Sequence, residues 1–443
     1  MRVIIIGGGT GGMCLAHGLK RAGVDVVVYE RYGSRRDGLY GYRVGIDPTG
    51  NRALKECLPP ELFDTFVATC ARGPRYFNVL TESMHATASI PLRDDSDEVN
   101  SERSVSRSTL RQVLFTGMED VIHFGKEYTH YTQHENGTVT AHFSDGTSDN
   151  GNVLIAADGT RSAVREQLLP HAQIKDAGIT SIATKTPLTP ETRALLTDEM
   201  LSGINLLFAT KGLIGMVHVM EFKWDAAGNP KNPADAKLLD SWSGLQFDNT
   251  RDYINLSIWS SHDHFPENII EQRGSELIAT ALEITRNWHP NLRRIFELAD
   301  PEAAFPLRIS TSVPVEPWKT TNITLLGDAI HTMTPGQGVG ANTALRDAAL
   351  LCRELVAADR GEKSVLTALS DYEAVMLPYG FARVADSLNN NGTSGDDPLY
   401  SRSTGRLALF GARTYFSLTS KIPAMRRKFL DDLYTYRGAE DLA

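Results

Sequence analysis

The glycines Gly7-x-Gly9-x-x-Gly12 constrain the fold of this chain more than any other feature. They follow the apolar run Val3–Ile6 and open a segment, Met13–Ala22, in which Met13, Ala16, Leu19 and Ala22 keep helical spacing. Gly23 ends that helix, and Val24–Tyr29 reads as a second apolar strand closing on Glu30. Strand, glycine loop, helix and strand within about 30 residues predict a βαβ unit and a parallel sheet. Glycine at these spacings allows a tight turn, close approach of backbone to a pyrophosphate and close helix–strand packing. The helix N-terminus offers free N–H groups to the phosphates. Glu30 is placed to accept hydrogen bonds from a ribose hydroxyl. The fingerprint predicts a dinucleotide without separating FAD from NAD.

Two later segments repeat the device of a strand that delivers an acid at its carboxyl end. Val153–Ala157 leads into Asp158-Gly159-Thr-Arg161-Ser162 and a polar helix start, which in isolation is also an ordinary junction with Asp158 as N-cap. Ile323–Leu326 leads into Gly327-Asp328-Ala329-Ile330-His331-x-x-x-Pro335, continuing through Gly338, Val339, Gly340, Ala341 and Asn342. Asp328 can bind a ribityl or ribose hydroxyl. The glycine run opens a helix, Asn342–Leu355, whose N–H groups would stabilise negative charge on the pyrimidine edge of a reduced flavin.

These three motifs, in this order and with a single dinucleotide fingerprint, resemble those of the class A (single-component) flavoprotein monooxygenases, the family of p-hydroxybenzoate hydroxylase. The resemblance covers roughly residues 1–390. It implies that Gly7, Gly9, Gly12 and Glu30 hold the ADP half of FAD. Arg43, in Gly41-Tyr-Arg-Val-Gly45, matches a position near the ribityl chain and the active-site entrance, and Arg107 a flavin-contacting arginine. Asp158 and Gly159 match a motif linked to both FAD and NAD(P)H, and Asp328 matches the ribityl contact. Gly338, Val339, Gly340, Ala341 and Asn342 match the loop beside the isoalloxazine, with Ala341 and Asn342 nearest its pyrimidine edge. Pro335 matches a proline on the oxygen-reacting face. Ile330 departs from the small residue usual in the family. The implied reaction uses NADPH or NADH to reduce the flavin and O2 to form a C4a-hydroperoxide, which oxygenates an aromatic or polycyclic small molecule. Hydroxylation is the first expectation. Epoxidation, Baeyer–Villiger insertion and a non-oxygenating flavoprotein that binds a reactive intermediate are the alternatives. No two of the five tryptophans have the Trp-x-Trp spacing of flavin-dependent halogenases.

The expected fold is α/β. A Rossmann-type FAD-binding domain, glutathione-reductase-like and of the p-hydroxybenzoate hydroxylase type, carries an inserted, mainly antiparallel β-sheet substrate domain and C-terminal helices. Residues 1–75, 100–177 and 275–388 are expected in the first, 76–99 and 178–274 in the second, and 389–443 as the helical segment. Short strand-like runs (Gly203–Ala209, Leu213–Val219, Tyr253–Ser260) separated by polar turns carry the sheet reading. Asp145-Gly146 marks a hairpin turn between Thr138–Phe143 and Val153–Ala157, Ser275–Trp288 reads as a helix, and the acidic run Asp94–Glu98 as a solvated loop.

A formal charge of −9 works against general attraction to nucleic acid. Cys14, Cys57, Cys70 and Cys352 form no CxxC pair, so no metal is expected, and sparse cysteine fits a reducing cytoplasm. No stretch approaches the roughly 20 apolar residues that span a bilayer, so stable membrane insertion is not expected. A monomer or homodimer is expected. His218, Tyr253 and Arg308 fall in or beside the presumed substrate sheet, with His218 and Arg308 as candidate catalytic groups beside Arg43 and Pro335. The C-terminal stretch Leu407–Tyr436 can pack against the body of the protein over the active-site mouth, mediate dimerisation or lie on a membrane, packing against the body being expected.

Overall fold

Arg2–Ile6, Val153–Ala156 and Ile323–Leu325 are apolar along almost their whole length, and Asp25–Glu30 is buried from its second residue on. Such strands suit a sheet covered on both faces, and they form one. In the computed structural model, which describes residues 1–37, 42–93, 100–225, 233–240, 252–389, 392–401 and 403–438, five parallel strands run in the order Ile323–Leu325, Val153–Ala156, Arg2–Ile6, Asp25–Glu30 and Ile122–Phe124. Helix Thr10–Arg21 follows the first strand and packs on helix Gly340–Asp359. Its glycines permit that approach: a Cβ on Gly11 would lie 3.0 Å from the Ala344 carbonyl oxygen, and one on Gly18 2.6 Å from Cys352 Sγ. All four cysteines are buried free thiols.

The turn at Asp145-Gly146 does not lead directly to Val153–Ala156. It first returns the chain through Ser148–Gly151, which pairs antiparallel with Val139–Phe143 in a three-stranded sheet completed by Tyr128–Gln133. Ser148–Gly151 reads Ser-Asp-Asn-Gly and has no apolar residue to mark it as a strand.

The remaining large sheet has seven strands, ordered Phe305–Ser312, Ile174–Pro187, Tyr253–Ser261, Ile214–Met220, Gly203–Phe208, Tyr76–Leu80 and Ala86–Pro91. Every pairing is antiparallel except Gly203–Phe208 with Tyr76–Leu80. One face carries Ile182, Leu207, Val217, Ile254, Leu256 and Ile258, packed under helices Gly274–Ile284 and Pro290–Glu297. Those helices and strand Phe305–Ser312, expected with the dinucleotide-binding part from residue 275, therefore pack on or pair with this sheet instead. The helix expected over Ser275–Trp288 stops at Ile284, and Pro290 starts the next one.

Helices Gly405–Lys421 and Pro423–Tyr436 lie against the opposite face through Leu409, Phe416 and Phe429, which meet Phe77, Phe208, Ile214 and Trp259. Of the three readings of this segment, packing on the body of the protein is the one observed. Among the described residues no helix is long and apolar enough to cross a membrane. Asp94–Glu98 and Trp242 lie outside the described residues.

Candidate active site

The carboxyl ends of the parallel strands bring the three motifs to one edge, where ligands sit in open α/β sheets. Gly7 takes φ +107°, and a Cβ there would lie 2.3 Å from the Ala157 carbonyl oxygen. A Cβ on Gly12 would lie 2.4 Å from the Gly7 carbonyl oxygen, so both glycines are required by the protein itself. Gly9 differs: its nearest such neighbour is 3.7 Å away, and it caps helix Thr10–Arg21 without a side-chain hydrogen bond. That leaves the first-turn N–H groups available to an anion. Glu30 is buried, accepting from Gly8 N (2.8 Å) and Tyr32 N (3.0 Å), with Arg111 Nη2 3.7 Å from Oε2. Each oxygen keeps a lone pair for a ribose hydroxyl.

Asp158 Oδ2 accepts from Ala163 N (3.0 Å), while Ser162 is the N-cap of helix Ala163–Leu168. Asp158 therefore braces the helix start without being its cap. Its Oδ1 is buried and has no protein partner, and burial raises its carboxyl above the usual range. Gly159 (φ +79°) and Gly338 (φ +69°) have nothing within 4 Å of where a side chain would begin. Arg165 Nη1 donates to the Ala329 carbonyl (2.9 Å), tying this motif to the next.

Asp328 is open to the cleft although protein surrounds it. That enclosure raises its carboxyl, with His331 and Arg107 pulling it partly back. Arg107 is exposed at the start of its helix, and its N–H donates to the Tyr42 carbonyl (3.1 Å). His331 is turned inward onto Asp347 and so serves the framework. Pro335 begins the short turn Pro335–Gln337 and is exposed.

Helix Gly340–Asp359 has Val339 as its N-cap, again without a side-chain hydrogen bond, so the N–H groups of Gly340, Ala341 and Asn342 are the open ones. The Asn342 amide faces inward: Oδ1 accepts from Asp47 N (3.1 Å), and Nδ2 donates to the carbonyls of Gly45 (2.9 Å) and Gly338 (3.1 Å). Asn342 thereby clamps the glycine loop to the ribbon formed by Arg43–Ile46 and Arg103–Ser106.

Arg43 Nε donates to Ser104 Oγ (3.0 Å), and Nη2 lies 3.5 Å from Glu102 Oε1. Burial pulls this guanidinium below its ordinary value, and Glu102 offsets part of that. His218 Nε2 lies 3.4 Å from Ser104 Oγ. Burial first, and then the charge of Arg43, hold the imidazole well below its ordinary value, hence neutral. Glu102 also pairs with Arg437, which follows the last helix.

The sheet supplies the other wall. Leu206, Met216, Asn255, Ser257 and Trp259 alternate with buried neighbours, and each of them, like Phe305, is only partly covered. Strand register puts them on one face: Phe305 opposes Ala183, Ala183 opposes Ser257, Ser257 opposes Met216, and Met216 opposes Leu206. This face meets the ribbon and glycine loop, because the Phe305 and Tyr42 rings pack tilted with centroids 5.4 Å apart, Tyr253 Oη donates to the Tyr42 carbonyl (2.8 Å) and Trp259 Nε1 to the Gly392 carbonyl (2.9 Å). Gly336 in turn abuts Thr393. His218 shares the face but is buried. Arg308 does not share it: it opposes Thr180, one step out of phase with Leu307 and Ser181, and is exposed on the other side. Among the described residues no cluster of His, Cys, Asp and Glu could hold a metal.

The donor set fits FAD: open helix N-termini at Thr10 and Gly340, bare backbone at Gly9, Gly159 and Gly338, and acceptors at Glu30, Asp158 and Asp328. A sequence profile described as an FAD binding domain matches residues 1–39 and 274–385. A protein from Photorhabdus luminescens subsp. laumondii TTO1, whose crystal structure is described as that of an FAD-containing monooxygenase, superposes with a TM-score of 0.74 at 33% identity, over 88% of this chain and 96% of that one. The chain belongs to the class A FAD-dependent monooxygenase family. It is 32% identical, over 84% of its length, to the dual O-methyltransferase/FAD-dependent monooxygenase CTB3 of Cercospora beticola, of which it covers 44%. The chain thus spans about half the length of the curated relatives it matches first. An FAD-dependent urate hydroxylase of Klebsiella pneumoniae is 26% identical over 84% of this chain and 85% of its own.

Proposed function

We propose that this chain is a monooxygenase that binds FAD, takes electrons from NADPH or NADH, and inserts one atom of O2 into an aromatic or polycyclic small molecule, by hydroxylation. The observation that carries this reading is the sheet face of Leu206, Met216, Trp259 and Phe305, with Asn255 and Ser257 as its polar groups, joined through the Phe305–Tyr42 and Trp259–Gly392 contacts to the segments that meet the glycine loop before helix Gly340–Asp359. A mostly apolar wall with a few hydrogen-bonding groups takes a planar, hydrophobic molecule and orients it. Urate is the substrate in the name of one relative, and it is a planar fused-ring molecule, though a polar one.

Bound in the cleft, the flavin supplies the redox chemistry of O2 activation. This chain's part is to position and to shield. Glycine-loop and helix N–H groups would hold the diphosphate and the pyrimidine edge, and Asp328 would hold a ribityl hydroxyl. Arg43, kept in place by Ser104 and Glu102, would lend positive charge to the bound cofactor. The sheet wall excludes water from the reacting centre.

The test is a screen of phenolic and fused-ring compounds with the purified yellow protein, following NADPH and NADH oxidation, O2 uptake and product mass in 18O2. One 18O atom in the product is expected, with reductant oxidation stimulated by the compound oxygenated. A colourless protein that cannot be reconstituted with FAD would overturn the proposal, as would reductant oxidation that yields only hydrogen peroxide with every compound.

A further inference from the structure

Five of the eight large hydrophobic side chains that stand exposed among the described residues fall on one helix and its end: Leu407 (73%), Phe410 (67%), Tyr415 (48%), Leu418 (43%) and Ile422 (40%). Helical geometry shows that this is a face. Positions 407, 411, 415, 418 and 422, with 410 and 414 beside them, are linked by three- and four-residue steps, and all of them are exposed. Leu409 and Phe416, on the other side of the helix, are the residues buried against the sheet. Helix Gly405–Lys421 is therefore apolar on both sides, and packing within the chain explains only one of them. An isolated exposed leucine needs no explanation, whereas a continuous apolar stripe marks a contact surface.

The charges around the stripe choose the occupant. Arg406 stands at its N-terminal end, with Lys421, Arg426 and Arg427 at its C-terminal end, and none of the four side chains has a hydrogen-bond or salt-bridge partner among the described residues. Between Gly405 and Arg437 the sequence holds seven Lys and Arg (406, 413, 421, 426, 427, 428 and 437) and two acids (431 and 432), in a chain whose formal charge is −9. A second copy of the same face is a poor match. Because both ends of the stripe are basic, parallel or antiparallel pairing sets like charge against like. An apolar stripe with basic ends suits a surface that is greasy below and anionic above, which is the interfacial zone of a membrane rich in acidic lipid.

We propose that helix Gly405–Lys421 docks this protein peripherally on anionic lipid membranes, with Leu407, Phe410, Tyr415, Leu418 and Ile422 entering the headgroup–acyl boundary and Arg406, Lys421, Arg426 and Arg427 meeting the lipid charge. The helix lies in the plane of the surface and spans nothing. The docking does not depend on the oxygenation chemistry proposed above and is tested without it.

The experiment is cosedimentation of the full-length flavin-loaded chain with two vesicle preparations, phosphatidylcholine alone and phosphatidylcholine with about one third phosphatidylglycerol, at low and high salt. Binding to the anionic vesicles is expected to exceed binding to neutral ones by at least about tenfold and to weaken with salt. Leu407→Ser with Phe410→Ser, and separately Lys421→Glu with Arg427→Glu, should each lower it by about tenfold or more. All these side chains are exposed, so flavin absorbance and melting temperature should stay at parent values. Sedimentation with neither preparation would overturn the proposal, as would binding that both double variants retain. So would a concentration-dependent dimer that Leu407→Ser with Phe410→Ser converts to monomer, since the stripe would then be a contact between copies.

Discussion

His331 Nε2 donates to Asp347 Oδ2 across 2.5 Å, with both side chains essentially inaccessible, and the same carboxylate oxygen accepts the Gly327 N–H at 3.1 Å. One buried carboxylate thus ties helix Gly340–Asp359 to the turn that aims Asp328 into the cleft. Burial alone would lower the His331 imidazole. The charge and hydrogen bond of Asp347, with the charge of Asp328, outweigh it and leave the imidazole above its ordinary value. Replacing Asp347 with Asn removes the counter-charge, so the buried imidazole sheds its proton and the pair is reduced to weaker neutral hydrogen bonds, at a cost of about 1–3 kcal/mol. Asp347→Asn should therefore lower unfolding free energy by about that amount, measured by denaturant titration of the apoprotein. A raised folded value means the imidazolium's contribution is complete below pH 6.5 and is lost as pH rises through the raised value. The parent should lose stability on the alkaline side, and Asp347→Asn should lack that loss.

His17 titrates with the opposite sign. It is buried against the Leu114 carbonyl (2.8 Å from Nε2), and burial lowers it to about 4. A depressed imidazole is neutral in the folded state and takes up its proton mainly on unfolding. Its penalty is absent above pH 6.5 and grows as pH falls toward about 4, reaching about 3 kcal/mol over that window. His17→Gln keeps a donor for Leu114 and removes the titration. Its stability should fall less steeply than the parent's between pH 6.5 and 4.5, read from melting temperatures. Parallel curves would show that other groups set the acid limb.

The legibility of this chain divides along the same physical line as its elements. The parallel strands announce themselves as near-continuous apolar runs, and Gly7 and Gly12 are demanded by close backbone approach, so both can be read from local sequence. Ser148–Gly151 could not be read, because its backbone is recruited by a neighbour rather than by its own side chains. The cleft wall carried a faint signal, the two-residue alternation through Leu206, Met216 and Ser257. Deciding which face meets the flavin loop needed the contacts of Tyr42 and Gly392. Glu102 carried none at all: its partners Arg43 and Arg437 are remote in sequence and meet only in three dimensions.

Gly9 and Gly12 share a motif but differ in what they face. A methyl group on Gly12 collides with the protein's own backbone, whereas one on Gly9 meets nothing nearer than 3.7 Å and would stand where the proposed FAD diphosphate is to be held. Gly12→Ala should yield insoluble protein or a melting temperature lowered by many degrees even without cofactor. Gly9→Ala should fold with the apoprotein stability of the parent and bind FAD about tenfold or more weakly, by fluorescence quenching titration. Equal damage from both substitutions in the apoprotein would refute the division.

The sheet offers the sharpest separation of site from scaffold, because strand residues one apart point to opposite faces. Ser257 stands in the middle of the cleft wall, opposite Met216 on one side and Ala183 on the other. Ser257→Phe fills space that a planar substrate would occupy while leaving the glycine loops untouched. Flavin content should be unchanged, substrate KM should rise about tenfold or more, and a larger share of NAD(P)H oxidation should end in hydrogen peroxide. Arg308, exposed on the far face beside Thr180, is the matched control. Arg308→Ala should leave KM, kcat and coupling within about twofold of the parent, as ordinary surface substitutions do. A large loss of kcat in Arg308→Ala with normal flavin content would mean that its guanidinium reaches the reacting centre around the sheet edge, and the cleft would then have to be redrawn to include that edge.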